Sequence, residues 1–165
     1  FDFERDGSPD IVNPTMLLPT PRSLPIDFSG AFSRRIIGWN LADSMTEDLV
    51  IPVLRAAIRE RQPDENLIHH TDRGGQYAST RYRDILRRAE IRQSMSRADN
   101  CYDNAFMESC FGTIKTELEM VEYYNHRAAD RELAEYFAYY NSERKHSSLG
   151  YLTPAQFEDS GKHPN

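Results

Sequence analysis

Apolar residues recur along this chain in two rhythms. Between Leu49 and Ile58 they fall at Leu49, Val50, Val53, Leu54, Ala57 and Ile58, the spacing of one buried face on an α-helix. Thr46 precedes the run as a candidate N-cap, Glu47 and Asp48 occupy the first turn, and Pro63 stops the helix near Arg61. Leu67 to Thr71 is a short apolar run bounded by Gly74-Gly75, which predicts a buried strand ending just before Asp72. Phe32 to Leu41 has the β-branched and aromatic content of another strand, and Ile91 to Ser96 that of a third. Thr80 is expected to cap a helix that buries Tyr82, Ile85, Leu86 and Ala89 and turns its arginines outward. Further helices are predicted around Glu108, from Arg127 to Tyr140 with Leu133, Ala134, Phe137 and Tyr140 inward, and from Pro154, which suits a first helical turn. Strands alternating with helices predict an α/β sandwich.

Residues 1–31 follow neither rhythm. Pro9, Pro14, Pro19, Pro21 and Pro25 recur too often for a helix or a central strand, so the segment reads poorly as any element. The chain therefore divides into a disordered or degraded stretch at 1–31, a core at 32–157 and a tail at 158–165. It opens on Phe1 rather than Met, so a fragment of a longer product is expected.

Composition changes this picture only a little. A chain of 165 residues with 39% hydrophobic and 28% charged residues suits one soluble domain, expected in the cytoplasm, and no apolar run approaches a membrane span. Cys101 and Cys110, nine positions apart on one predicted helix, point in opposite directions and do not make an internal disulfide. Structural zinc is not expected, because no pair among His69, His70, His126 and His146 has finger spacing and neither cysteine belongs to a Cys-x-x-Cys pair. Ser109 lacks a nucleophile elbow. The net charge of −6 argues against nucleic acid, but its distribution does not: Arg73, Arg81, Arg83, Arg87, Arg88, Arg92 and Arg97 face only Asp84 and Glu90 within that span, a local charge of +5. Such arginines are either a phosphate-tracking strip or ordinary solvated charges on a helix.

The candidate chemistry lies between His69 and Lys115. With Glu108 at zero on a helical wheel, Asn104 and Lys115 share its side, while Phe106, Met107, Cys110, Ile114, Leu118 and Val121 gather opposite. A strand-end Asp72 and a helix-borne Glu108 are what a hard divalent cation needs if they converge. Taken singly, Asp72 could equally cap its turn and Glu108 could be a surface charge.

Asp72, Glu108 and Lys115, with thirty-five residues between the acids and the lysine seven after the glutamate, resemble the D-D-35-E signature of the transposase and retroviral-integrase superfamily. His70-Thr71-Asp72-Arg73-Gly74, Gln76-Tyr77, Asn104-Ala105, Glu108-Ser109, Phe111, Lys115-Thr116-Glu117 and Tyr140-Asn141 through Pro154 resemble the integrase-core transposases of bacterial insertion sequences. The resemblance runs from about Phe32 to Phe157. It implies a ribonuclease-H-like fold, a mixed sheet flanked by helices on both faces. It also implies Mg²⁺ or Mn²⁺ held by three acids, double-stranded DNA as substrate, and a homo-oligomer on paired DNA ends; no small-molecule cofactor is expected. Asp72 and Glu108 match the second and third acids, and Lys115 a phosphate contact. Asn104, Arg73, Arg81, Arg87 and Arg88 are further candidates for DNA contact. Asp10, 62 residues before Asp72, is the candidate first acid, although Val12-Asn13-Pro14 follows where the family has other residues. That departure suggests a frameshifted or eroded copy. Sequence-specific recognition would lie in an N-terminal helical domain. A catalytically inactive DNA-binding or dimerising remnant and another ribonuclease-H-like nuclease remain as rivals.

Overall fold

In a computed structural model, the structure describes residues 11–13, 15–18, 24–28, 33–41, 46–65, 67–95, 112–114, 116–118 and 126–161. Among the described residues are six strands: β1 (Ile11–Asn13), β2 (Thr15–Leu18), β3 (Leu24–Phe28), β4 (Trp39–Leu41), β5 (Ile68–Thr71) and β6 (Arg92–Met95). Among the described residues they are accompanied by the α-helices α1 (Glu47–Arg61), α2 (Thr80–Arg88), α3 (His126–Ser142) and α4 (Pro154–Asp159), besides the helical residues 112–114 and 116–117.

Two three-stranded sheets form. One has the order β1-β5-β6 and is parallel throughout; the other, β2-β3-β4, is antiparallel. A single residue of sequence, Pro14, separates β1 from β2. Proline has no N–H to give to a ladder, which accounts for a boundary there. The reading of 1–31 as poor in structure is thus corrected, since three strands lie between Ile11 and Phe28. Short apolar runs between the prolines suffice for strands of three to five residues, and Pro25 occupies only the second position of β3.

Successive side chains of a strand point to opposite faces. On β4, Trp39 meets Phe137 of α3 edge-on at 5.6 Å, while Asn40 Nδ2 donates to the Leu49 carbonyl of α1 at 3.1 Å. Helices therefore cover both faces of this strand. Leu49, Val50, Ile51 and Leu54 of α1 pack with Leu67, Tyr77, Tyr82, Leu86 and Ile91 into one buried cluster. On α3 the buried positions are Ala129, Leu133, Tyr136, Phe137 and Tyr140, one helical stripe; Ala134, expected inward, lies one step around the helix and is exposed.

Three local expectations are refined. Ser79, not Thr80, caps α2, its hydroxyl accepting from the Tyr82 N–H at 3.2 Å. The strand expected from Phe32 is only Trp39–Leu41, because Arg34 adopts a left-handed φ of 59° and the Asn141 side chain takes the backbone of Ile36. Asn141 Oδ1 accepts from the Ile36 N–H at 2.9 Å and its Nδ2 donates to the Ile36 carbonyl at 2.8 Å, as a neighbouring strand would. Pro154 does open the last helix, where Thr153 and Gln156 form a reciprocal capping box.

Glu158 of α4 is the tie between the ends of the core. It accepts from Arg61 Nη2 at 2.6 Å, Arg61 Nη1 at 3.0 Å, Arg35 Nη1 at 2.8 Å and the Ser33 hydroxyl at 2.5 Å. Burial pushes its carboxyl upward, but the hydrogen bonds and charges of Arg61, Ser33 and Arg35 outweigh it and hold the carboxyl below its ordinary value. A group so depressed stabilises the fold fully above 4.5, and that contribution is lost as pH falls through the lower folded-state value. Glu158→Gln is expected to lower stability by roughly 1–3 kcal/mol in urea titrations at neutral pH. The variant's stability should also depend less on pH below 4.5 than the parent's.

Candidate active site

β5 brings three polar residues, His69, His70 and Thr71, into register with its parallel neighbours. His69 is fully buried, with Nε2 at 2.8 Å from the Tyr82 hydroxyl of α2. His70 Nδ1 lies 3.2 Å from Ser94 Oγ on β6. Gln93, also on β6, donates from Nε2 to Thr71 Oγ1 at 3.3 Å and to the Tyr77 carbonyl at 3.0 Å. These bonds pin the end of β5 from the β6 side and from the loop that follows.

Asp72 is the first residue beyond the strand. Its Oδ1 accepts from the Gly74 N–H at 2.7 Å, an aspartate turn that folds the chain back at once. Gly74 then accepts from the Tyr77 N–H at 3.0 Å, and a Cβ on Gly74 would stand 2.5 Å from the buried Gln76 side chain. A side chain at 74 would therefore require the Gln76 amide to move. Among the described residues Asp72 Oδ2 meets no donor, so one oxygen holds the loop and the other is open. Both readings of Asp72 made from the sequence, turn former and candidate ligand, thus draw on different oxygens of one carboxylate.

Asp10, Asn104, Glu108 and Lys115 lie outside the described residues. Of the predicted Glu108 helix, residues 112–114 and 116–117 are helical, and Ile114 and Leu118 are buried as the apolar stripe requires. β1 pairs with β5 so that Asn13 stands abreast of Thr71. Among the described residues no three carboxylates, histidines or cysteines gather into a metal-sized cluster.

The arginine strip is partly committed. Arg81 reaches Glu47 at 2.5 Å and Asp48 at 3.6 Å, and Arg87 reaches Asp84 at 2.8 Å. Arg73 and Arg88 are exposed. Exposed pairs of this kind contribute little and exchange readily for another anion.

A second polar cluster joins the predicted Glu108 helix to the closing segment. Arg144 donates to both oxygens of Glu117, with Nη2 at 2.6 Å from Oε1 and Nε at 2.9 Å from each oxygen, and the Tyr136 hydroxyl donates to Oε2 at 2.9 Å. The Arg144 hydrogen bond holds the Glu117 carboxyl below its ordinary range despite partial burial. Arg144 Nη1 also lies 3.1 Å from His146 Nδ1. Burial first, and the neighbouring Arg144 and Arg34 charges second, push His146 down to about 4, so it is neutral at pH 7. Arg144, His146 and Glu117 were visible in the sequence only as parts of separate motifs; the pairing of Arg144 with Glu117, 27 residues apart, was not.

Known proteins resemble this chain over most of its length. Two family models, each described as Integrase core domain, match residues 23–101 and 89–154. A transposase for insertion sequence element IS904 from Lactococcus lactis is 43% identical over 129 residues, covering 77% of this chain and 51% of the relative. Transposase InsF for insertion sequence IS3A from Escherichia coli is 42% identical over 132 residues, 78% of this chain and 45% of the relative. The chain thus spans about half the length of these relatives. The catalytic core domain of HTLV-2 integrase, solved in complex with magnesium, superposes with a TM-score of 0.69 at 16% identity, covering 93% of this chain and 99% of that one. The fold is accordingly that of an integrase catalytic core, ribonuclease-H-like, as the sequence led one to expect.

Two outcomes test this geometry. Asp72→Asn retains an Oδ1 acceptor for Gly74 and should stay within about 0.5 kcal/mol of the parent in chemical denaturation, whereas Asp72→Ala should lose about 1 kcal/mol. In an NMR titration the His146 ring should change protonation at about 4 rather than 6.5. Because its folded value is depressed, its contribution to stability is intact above 6.5 and declines as the pH falls toward 4.

Proposed function

The chain belongs to the integrase core domain family, and from that premise we propose that it is the catalytic core of an insertion-sequence transposase, cutting DNA at element ends and transferring the strands. The observation that carries this reading is Asp72, a carboxylate with one open oxygen at the C-terminal end of a parallel strand. In α/β sheets that end is where ligands bind, because backbone and side-chain groups there converge without a following strand to occupy them.

The donor set suits a hard divalent cation. Asp72 is half-buried, anchored through Oδ1 by a turn, and carries no competing cation partner among the described residues. Asp72, Glu108 and Asp10 would hold Mg²⁺ or Mn²⁺, which keep oxygen ligands and bound water. Bound there, the metal would lower the pKa of an attacking water or 3′-hydroxyl and offset charge on phosphorus and on the leaving oxygen. The chain's own residues supply position. The Gly74 turn fixes the Asp72 carboxylate, while His70 and Thr71 are held by Ser94 and Gln93 so that the strand end does not fray.

Lys115, Asn104, Arg73 and Arg88 would contact the DNA backbone, and Arg81 and Arg87 would join them by exchanging carboxylate partners for phosphate. Double-stranded DNA is the substrate, the working form is a homo-oligomer on paired ends, and the setting is cytoplasmic. One observation favours a second reading, a DNA-binding remnant. In the register of β1 with β5 it is Asn13, not an acid, that pairs with Thr71, the residue before Asp72. Asp10 precedes that strand in sequence.

The test is an Mn²⁺-dependent cleavage and strand-transfer assay on element-end DNA with the parent chain, Asp72→Asn, Glu108→Gln and Asp10→Asn. The transposase reading expects Asp72→Asn and Glu108→Gln to lose at least about 100-fold in rate with DNA binding retained. Equal loss in Asp10→Asn would assign the third acid. Cutting without transfer would mean a nuclease, and binding without cutting by any of the four would establish the remnant.

A further inference from the structure

A cavity of about 340 Å³ lies where the segment before β4 meets the close of α3, the turn leading to α4 and Thr113. Its lining includes Arg34, Tyr140, Arg144, Lys145, Ser147 and Tyr151. Arg34, Arg144 and Lys145 bring positive charge to the lining; Arg144 is paired with Glu117, and His146 is held neutral. Ser147 adds a hydroxyl and is exposed.

The backbone around this cavity is unusual. Of the four non-glycine residues with positive φ among the described residues, Gln62 follows the C-terminus of α1 and Glu90 follows α2, where left-handed residues commonly end a helix. The other two, Arg34 at 59° and Tyr151 at 62°, both line the cavity. Tyr151 directly follows Gly150, itself at 66°, so two consecutive left-handed residues present the ring. That ring is 71% exposed, the most exposed large hydrophobic side chain among the described residues. Gly would occupy the position without strain, so the turn presents the aromatic ring beside the cavity against the backbone preference. The turn is nonetheless well built: the Tyr151 N–H donates to the His146 carbonyl at 2.9 Å and the His146 N–H to the Leu152 carbonyl at 3.0 Å.

An exposed aromatic face beside a cationic, hydroxyl-bearing hollow matches one nucleotide of an unpaired strand: phosphate in the hollow, base on the ring. A duplex keeps its bases stacked on one another and would leave Tyr151 without a partner. We infer that this cavity is a second DNA site, which binds a nucleotide of single-stranded DNA through Lys145, Arg34 and Tyr151. The inference rests on the chain being a DNA-processing core, and it adds a place to hold a strand that has left its duplex.

The experiment measures binding of the full 165-residue chain to a fluorescein-labelled oligothymidylate and to a duplex of equal length, by anisotropy over a range of salt. Tyr151→Gly removes the ring and relieves the backbone, so it should melt no lower than the parent while binding the single strand roughly five- to tenfold more weakly. Its duplex affinity should not change. Lys145→Glu should weaken single-strand binding by roughly tenfold and flatten its salt dependence, and inorganic phosphate should compete with the parent but not with this variant. Unchanged single-strand binding in both variants would overturn the inference, as would equal weakening on single strand and duplex, which would mean a general backbone surface. Failure of the parent to bind oligothymidylate would also overturn it. Cleavage assayed on the same proteins separates the two claims. Cutting that persists while the variants bind normally removes only this site; a parent that binds through the cavity yet never cuts removes only the transposase reading.

Discussion

The molecule depends on a parallel ladder. Strands that run the same way cannot be joined by a tight turn, so each must be followed by a crossover long enough to return the chain to the starting edge. Here α1 leads into β5, and α2 carries the chain from β5 to β6, each burying its apolar face in one shared cluster with Leu67, Tyr77 and Ile91. The constraint gathers the C-terminal ends of β1, β5 and β6 on one side. Asp72 stands at that side because a parallel strand has to stop before its helix can begin. The turn that stops it is made by the same carboxylate.

Polar contacts inside the ladder explain its fixed register. A slip of one residue would send His69, buried against Tyr82, to the opposite face and break the pairing of His70 with Ser94. Burying a histidine and two hydroxyl-bearing partners costs desolvation unless every group is paired. The pairing therefore selects one alignment, and with it one position for Asp72.

Much of this was legible in the sequence wherever a period was long enough to be read. The stripes of α1 and α3 were visible in their apolar spacing, and β5 was visible as an apolar run closed by glycines. The strands between Ile11 and Phe28 were not, because proline statistics describe average backbones while each of these strands needs only a few residues between prolines. The ties made by Asn141 and Glu158 were also invisible: they span 105 and 97 to 125 positions of sequence, and no local pattern marks either partner. At the candidate site, Asp72 could be placed from its strand, but the use of its Oδ1 in the Gly74 turn required coordinates. The arginine strip was legible as charge, though not as pairs, since the Arg81 partner Glu47 lies on another helix.

Asn141 has a further consequence for how copies of the chain can meet. β4 is the outer strand of its sheet, and an outer strand with free backbone groups invites another chain to pair with it. By bonding both backbone groups of Ile36, the Asn141 amide takes the place an intruding strand would need, and the left-handed turn at Arg34 bends the chain away just before it. Among the described residues β4 itself is a lip of three, Trp39 to Leu41. Self-association through this border is discouraged by a single carboxamide.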